Sequence, residues 1–224
     1  MNNGKVKGEK SMNKNLVEIV SILDRSGSMI GLKKDTIGGY NDFVEKQKSN
    51  GKETRVTLVL FDGDYDKIYD NVDINAVKTL DDKLYFPRGS TALLDAIGKT
   101  INSVGERLNK IDEKDKPCKV IVNIVTDGEE NSSREFTYEK IKEMVKVQQD
   151  TYSWEFIFIG ANIDSFGVAG SFGMKLSNTT NYKNNPRGIR KMFLANASYN
   201  SDLSNSSIKG SLEDYLKKEE EKSE

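Results

Sequence analysis

Side-chain oxygens crowd into one short stretch of the sequence, ILDRSGSMIG at residues 22–31. Asp24 interrupts an apolar run there, and the hydroxyls of Ser26 and Ser28 follow it closely. Asp127 ends a second apolar run in the same way. Carboxylate and hydroxyl oxygens, without sulfur or imidazole, are the ligands that hard cations prefer. The set therefore favours Mg²⁺ or Mn²⁺ over zinc.

Four apolar runs are typical of buried strands, and they cover residues 16–23, 56–61, 120–125 and 156–159. None of them alternates cleanly between apolar and polar residues. Near-continuous apolar runs indicate strands covered on both faces, and hence a parallel sheet between helices. The segment 65–74 follows the second run after only three residues, which predicts a hairpin and an antiparallel edge strand.

Apolar residues at helical spacing lie between and after these strands. The strongest pattern covers residues 94–111, and weaker ones cover 30–44, 138–145, 165–174 and 189–197. Strands alternating with helices in this order predict an α/β fold, a Rossmann-like, doubly wound and mostly parallel sheet with helices on both faces.

Ligands of such sheets bind beyond the carboxyl ends of the strands, at the point where the strand order reverses. If the strands that end at Asp24 and Asp127 are neighbours there, their carboxylates meet. The segment Arg88-Gly-Ser-Thr91 opens the strongest predicted helix and would bring hydroxyls beside them. The sequence thus predicts one cation site built from three separate segments.

Three segments together resemble the von Willebrand factor type A (vWA) family. Asp24-Arg-Ser26-Gly-Ser28 is similar to the family's Asp-x-Ser-x-Ser motif, Gly89-Ser90-Thr91 to its threonine loop, and Thr126-Asp127-Gly128 to its second aspartate. The resemblance spans residues 15–205, in the expected order. It is greatest to stand-alone intracellular members from bacteria and phages.

The resemblance implies a metal-ion-dependent adhesion site. Ser26, Ser28 and Thr91 would then bind Mg²⁺ or Mn²⁺ through their hydroxyls, and Asp24 and Asp127 directly or through water. It also implies a function: capture of an acidic group on a protein partner, without catalysis, by a protein that we expect to be a monomer.

Two other functions stay open from the sequence. One is a Mg²⁺-dependent enzyme of phosphoryl transfer or hydrolysis, and the other is a scaffold subunit of an ATPase or a nucleic-acid-linked assembly. The chain has no histidine, which excludes Ser-His-Asp and Cys-His catalysis and histidine-ligated zinc. Many aspartate nucleophiles are followed two residues later by a second carboxylate. Ser26 occupies that position after Asp24, which argues against an enzyme of this kind.

Composition limits the partners and the compartment. Lys and Arg number 34 against 35 Asp and Glu, so no strong net charge draws the chain to nucleic acid or to a membrane. The N-terminal residues lack the apolar segment of a secretory signal. No apolar stretch approaches the roughly 20 residues that span a bilayer. We therefore expect a soluble, cytoplasmic protein.

The expected organisation is a flexible basic tail at residues 1–14, the vWA-like domain at 15–205, and a charged, fraying tail at 206–224. Near the predicted site, Arg25, Met29 and Glu129 are candidates for tuning the choice of partner.

Two further sets of residues have a purely structural interpretation as well as a functional one. Asp62, Asp64 and Asp66 are similar to the start of a calcium loop, but the downstream glutamate is missing, which favours a solvated hairpin. Asp164 and Ser165 follow the last predicted strand, where a helix cap is expected before a role at the rim of the site.

Overall fold

The computed structural model describes residues 12–222, and its centre is a six-stranded sheet. The spatial order is β3-β2-β1-β4-β5-β6, in which β3 is antiparallel and lies at the edge while the other strands are parallel. This confirms the predicted fold class. The strands are β1 (Asn13–Asp24), β2 (Glu53–Phe61), β3 (Tyr65–Asp73), β4 (Pro117–Thr126), β5 (Glu155–Gly160) and β6 (Thr179–Asn181).

Helices cover both faces of the sheet, which is why the central strands need no polar face. Residues of β1 alternate between the two cores: Val17, Ile19 and Leu23 join one, and Val20 and Ile22 join the other. The first core includes α1 (Lys33–Lys48), α5 (Pro186–Ser204) and α6 (Leu212–Glu221), and the second includes α2 (Leu93–Asn109), α3 (Tyr138–Tyr152) and α4 (Ser165–Ser171).

The strand order reverses between β1 and β4, as the candidate site requires. From β1 the chain proceeds outward to β2 and β3, and then crosses back to β4 on the other side of β1. Leu23 of β1 pairs with Val125 of β4, so both strands end at the same edge. The prediction that these two strands are neighbours is confirmed.

Strand β6 is absent from the sequence-based assignment. It has three residues, Thr-Thr-Asn, and it pairs with the carboxyl end of β5. A polar segment of this length carries no apolar run or alternation. Its place in the sheet comes from the neighbouring strand rather than from its own pattern.

The last helix corrects the prediction of a fraying C-terminal tail. Within α6, Leu212, Tyr215 and Leu216 are buried, and Ser211 with Asp214 forms a capping box at its start. The spacing of these three residues gives one apolar face, although charged residues dominate the composition. Residues 212–221 are therefore a packed helix.

Two predictions concern the ends of the described chain. The predicted basic tail at 1–14 lies largely outside the described residues, and Asn13 and Lys14 begin β1. Within residues 12–222, no helix is both long and apolar enough to cross a membrane.

Candidate metal centre

The carboxylate of Asp24 lies between the carboxyl ends of β1 and β4. Its Oδ1 accepts a hydrogen bond from the Ser26 backbone N–H at 2.6 Å, and its Oδ2 accepts one from the Thr126 hydroxyl at 2.6 Å. The residue is 1% exposed. The apolar β1 thus delivers one carboxylate into the protein at the predicted position.

The two serines that follow connect Asp24 to Asp127. The Ser26 and Ser28 hydroxyl oxygens are 3.1 Å apart, and the Ser28 hydroxyl donates to Asp127 Oδ1 at 2.5 Å. Asp127 Oδ2 is buried and forms no hydrogen bond with any residue that the structure describes. An unpaired buried carboxylate oxygen is costly, because nothing replaces its lost hydration.

Thr91 completes the group of predicted residues. A Cβ built on Gly128 would lie 3.2 Å from the Thr91 hydroxyl oxygen and 3.6 Å from the Ser28 hydroxyl oxygen. Both hydroxyls therefore converge on the backbone that follows Asp127, and glycine at 128 leaves the space between them open. All five predicted residues are brought together at one edge of the sheet.

The loop after β4 holds the threonine segment in place. Asn131 Oδ1 accepts a hydrogen bond from the Thr91 N–H at 2.9 Å, and the Asn131 N–H donates to the Thr91 carbonyl at 3.1 Å. Glu130 Oε2 accepts from the Leu94 N–H at 2.9 Å. Helix α2 has no side-chain cap of its own at Ala92, so this loop supplies acceptors for its first turn.

A side chain of helix α2 in turn accepts hydrogen bonds from the loop. The Asp95 carboxylate accepts hydrogen bonds from three successive backbone N–H groups, those of Arg134, Glu135 and Phe136. Sequence reasoning missed Asp95, Glu130 and Asn131. The polar run after Asp127 signals capping residues, but the helix that they cap lies earlier in the chain and cannot be read from that run.

In the absence of a cation, burial disfavours the ionised form of both carboxylates of the site. Burial raises the pKa of Asp24 to about 6, against the lowering effect of its bonds to Ser26 and Thr126. Burial also raises the pKa of Asp127, and the side chains of Ser28 and Asn184 oppose that rise. A cation placed between the two carboxylates would lower both pKa values.

The residues present fit a hard divalent cation. The donor set consists of three hydroxyls and two carboxylates, one of which carries the unpaired oxygen, and such an oxygen-only set suits Mg²⁺ or Mn²⁺. Across the described chain, no group of three or more carboxylate, thiol or imidazole side chains converges. Any metal held here would therefore depend on the serine and threonine hydroxyls.

Solved structures share this architecture. A von Willebrand factor type A structure from Catenulispora acidiphila matches with a TM-score of 0.56 and 14% identity, covering 85% of this chain and 43% of that one. The manganese-loaded TRAP protein of Plasmodium vivax matches with a TM-score of 0.53 and 16% identity, covering 77% and 70%. The fold is that of a vWA domain.

The D319A mutant of the PilB minor pilin from Streptococcus sanguinis also matches, with a TM-score of 0.59, 13% identity, and coverage of 92% of this chain and 65% of that one. This chain spans 43% of the Catenulispora structure, and 47% and 46% of two matching structures of proximal thread matrix protein 1 from the mussel byssus. No protein-family model and no curated protein matches the sequence. At such identities the likeness extends to the fold alone.

Two tyrosines lie beneath the site of this vWA fold. The Tyr85 hydroxyl donates to the Asp24 carbonyl at 2.6 Å. Tyr182 follows β6, and its hydroxyl is buried without a hydrogen bond to any described residue. Burial, and then the charges of Asp127 and Asp24, raise the pKa of Tyr182. The loop after β6 is thus a fourth segment at the site, one that the sequence analysis did not include.

Two of the three residues proposed to tune partner choice are not at the surface. Met29 is fully buried in the core below the site, and Arg25 is 5% exposed. Glu129 is exposed, as a partner contact requires. The prediction for Met29 and Arg25 is wrong because the short 3₁₀ turn after β1, Gly27–Leu32, directs Met29 inward, and a salt bridge to Asp62 holds Arg25.

The aspartates after β2 and the pair Asp164 and Ser165 follow their non-functional interpretations in part. Asp64 and Asp66 lie at the hairpin surface, but Asp62 is buried and pairs with arginines, which leaves no calcium loop there. Asp164 caps α4 by accepting from the Gly167 N–H at 2.9 Å, which confirms the predicted helix cap. Ser165 Oγ is buried and has no hydrogen bond to a described residue.

Proposed function

We propose that this vWA domain binds a divalent cation and uses it to capture an acidic side chain of a protein partner. The observation that carries the proposal is the buried, unpaired Oδ2 of Asp127, within a group of oxygens supplied by Asp24, Ser26, Ser28 and Thr91. A cation bound there would give this atom a charged partner. The same cation would offset the mutual repulsion of two buried carboxylates.

The charge of the donor set explains why the captured group would be acidic. Two carboxylates balance the charge of one divalent ion, so an incoming carboxylate meets little net repulsion. When bound, Mg²⁺ or Mn²⁺ would supply a coordination position for that carboxylate. The manganese-loaded TRAP protein, which shares the fold, adds support for a metal at such a domain. We also propose that the domain acts without catalysis and as a monomer.

Metal binding is tested by titrating chelator-treated protein with Mn²⁺ and with Mg²⁺ in a calorimeter. We expect one site in the wild type and none in Asp127→Asn, because the variant removes the unpaired carboxylate oxygen. Asp70→Asn is the matched control, since Asp70 lies on β3 and pairs with Lys67 and Arg107 away from the site. A wild type that binds neither ion, or an Asp127→Asn variant that binds both normally, contradicts the proposal.

Partner chemistry is tested by selecting displayed peptides on immobilised protein in Mn²⁺ and eluting them with chelator. We expect the eluted peptides to share an aspartate or glutamate, and their amide counterparts to lose binding. Equal recovery of peptides on Asp24→Ala protein would show that capture does not use the site.

A further inference from the structure

Asp62 lies directly after β2, and its carboxylate binds two arginines. Its Oδ2 accepts from Arg25 Nε at 3.0 Å and from Arg88 Nε at 3.0 Å. Its Oδ1 accepts from the Asp64 backbone N–H at 2.6 Å. The Asp62 and Arg25 side chains are 3% and 6% exposed, so the bond between them is made away from solvent, where charge-assisted hydrogen bonds are strongest. The Arg88 side chain is half-exposed.

The two arginines belong to the two loops that carry most of the candidate ligands. Arg25 stands between Asp24 and Ser26, and Arg88 precedes Thr91 by three residues. One carboxylate therefore bridges a loop of β1 and the threonine segment. Arg25 and Asp62 are 37 residues apart, so the fold rather than the local sequence brings them together.

Backbone hydrogen bonds meet at the same place. The Arg88 N–H donates to the Arg25 carbonyl at 2.8 Å, and the Gly27 N–H donates to the Gly89 carbonyl at 3.1 Å. The Ala92 N–H donates to the Asp62 carbonyl at 3.0 Å. The side chain and the backbone of Asp62 thus both tie the threonine segment to the end of β2.

Charge gives Asp62 a second effect on a cation site. Arg25 follows Asp24 directly and is almost fully buried, so an unpaired guanidinium there would oppose a bound cation. Asp62 pairs with this guanidinium at Nε, and Asp66 pairs with it at Nη2 at 2.5 Å. Because the Asp66 side chain is 48% exposed, Asp62 is the buried part of this compensation.

We propose that Asp62 is a positioning residue of the candidate metal centre, which holds the loops of Asp24 and Thr91 together and neutralises Arg25. This inference rests on the proposed metal binding. It assigns to Asp62 a role in the geometry of the site without contact to the metal.

The first test measures Mn²⁺ affinity by calorimetry on the wild type, Asp62→Asn and the control Asp70→Asn. Loss of an outer partner of a metal site costs about 10- to 100-fold in affinity, and we expect a loss in that range for Asp62→Asn. Asp70→Asn changes the net charge equally but should bind as the wild type does. Arg88→Gln removes only the half-exposed branch of the network and should lose less affinity than Asp62→Asn.

The second test needs no metal and separates positioning from a general loss of stability. Amide hydrogen exchange is measured on metal-free wild type and Asp62→Asn. Faster exchange at Gly27, Arg88 and Ala92, with unchanged exchange in β1 and β4, supports the role. If Asp62→Asn does not fold, Arg88→Gln gives the same measurement with one branch of the network removed.

The outcomes separate this inference from the proposed function. A wild type that binds Mn²⁺ while Asp62→Asn binds it equally well overturns the role of Asp62 and leaves metal binding intact. A wild type that binds neither Mn²⁺ nor Mg²⁺ overturns both, and the failure then appears in the wild type rather than in the variant.

Discussion

Two buried acids of β1 have different partners. In the middle of the strand, Glu18 accepts from Arg107 Nη2 at 2.5 Å and from the Thr57 hydroxyl at 2.8 Å. At the carboxyl end, Asp24 accepts only from hydroxyl and backbone N–H groups and forms no salt bridge within residues 12–222. The protein supplies its own cation to Glu18 and none to Asp24.

The pKa values of the two acids follow this difference. Burial raises the pKa of Glu18, and the charge and hydrogen bond of Arg107 oppose that rise. Burial raises the pKa of Asp24 to about 6, opposed only by hydrogen bonds, while the charge of Asp127 raises it further. Of the two acids, Asp24 is therefore the one without a countercharge. A carboxylate that binds a metal needs to be free of such a countercharge.

The largest expected effect comes from removing the internal cation. Arg107→Met leaves Glu18 buried without a countercharge, and we expect a loss of about 3 kcal/mol in the free energy of unfolding at pH 7. Urea denaturation measures it. The exposed pair of Lys146 and Asp150 gives the control, since Lys146→Met should change stability by less than about 0.5 kcal/mol. Equal effects of the two variants would remove the contrast between Glu18 and Asp24.

At the carboxyl end of β1, Asp24→Asn should abolish stabilisation by metal without weakening the metal-free protein. At a Mn²⁺ concentration of 100 times Kd the wild type should gain about 2.7 kcal/mol. The variant should gain none, and in chelator it should be at least as stable as the wild type because a neutral amide avoids the cost of a buried charge. Denaturation in Mn²⁺ and in chelator gives both values. A variant still stabilised by Mn²⁺ would contradict the assignment.

Filling the space at Gly128 should weaken the site while leaving both carboxylates in place. A methyl group there would lie 3.2 Å from the Thr91 hydroxyl oxygen, and we expect Gly128→Ala to bind Mn²⁺ about tenfold more weakly, equivalent to about 1.4 kcal/mol. Gly38→Ala is the matched control, because its added methyl group has no atom within 4 Å apart from its chain neighbours and the nearby backbone of its own helix. Titration calorimetry on both variants decides whether the open space matters.

The smallest expected effect is that of pH. With a pKa of about 6 in the metal-free protein, Asp24 must lose a proton to bind a cation, so lowering the pH weakens binding. Mn²⁺ affinity at pH 6 should be about half of its value at pH 8, since half of the carboxyl groups are then protonated. In the metal-free protein the sign is opposite: the contribution of Asp24 to stability is present at low pH and is lost as the pH rises through about 6. An affinity that is flat or rises on acidification would contradict this prediction.

Much of the fold could be predicted because its signals are local. Apolar runs identified the strands β1, β2, β4 and β5, and the short connection after β2 identified the antiparallel edge strand. The periodic residues of α2 are buried as expected, except that the helix ends at Asn109, before Ile111. The pattern could not reveal β6, which has no apolar run, and it undervalued α6, whose few apolar residues are masked by charge.

The sequence by itself determined that carboxylates and hydroxyls stand at the ends of apolar strands, because strand formation and its interruption by Asp24 and Asp127 depend on neighbouring residues. Only the tertiary structure decided what surrounds them. Thr91 and Asn131 are 40 residues apart, and Leu94 and Glu130 are 36 apart. Whether Arg25 neutralises Asp24 or pairs with Asp62 likewise depends on how distant loops pack, because buried charges select their partners by geometry rather than by position in the chain.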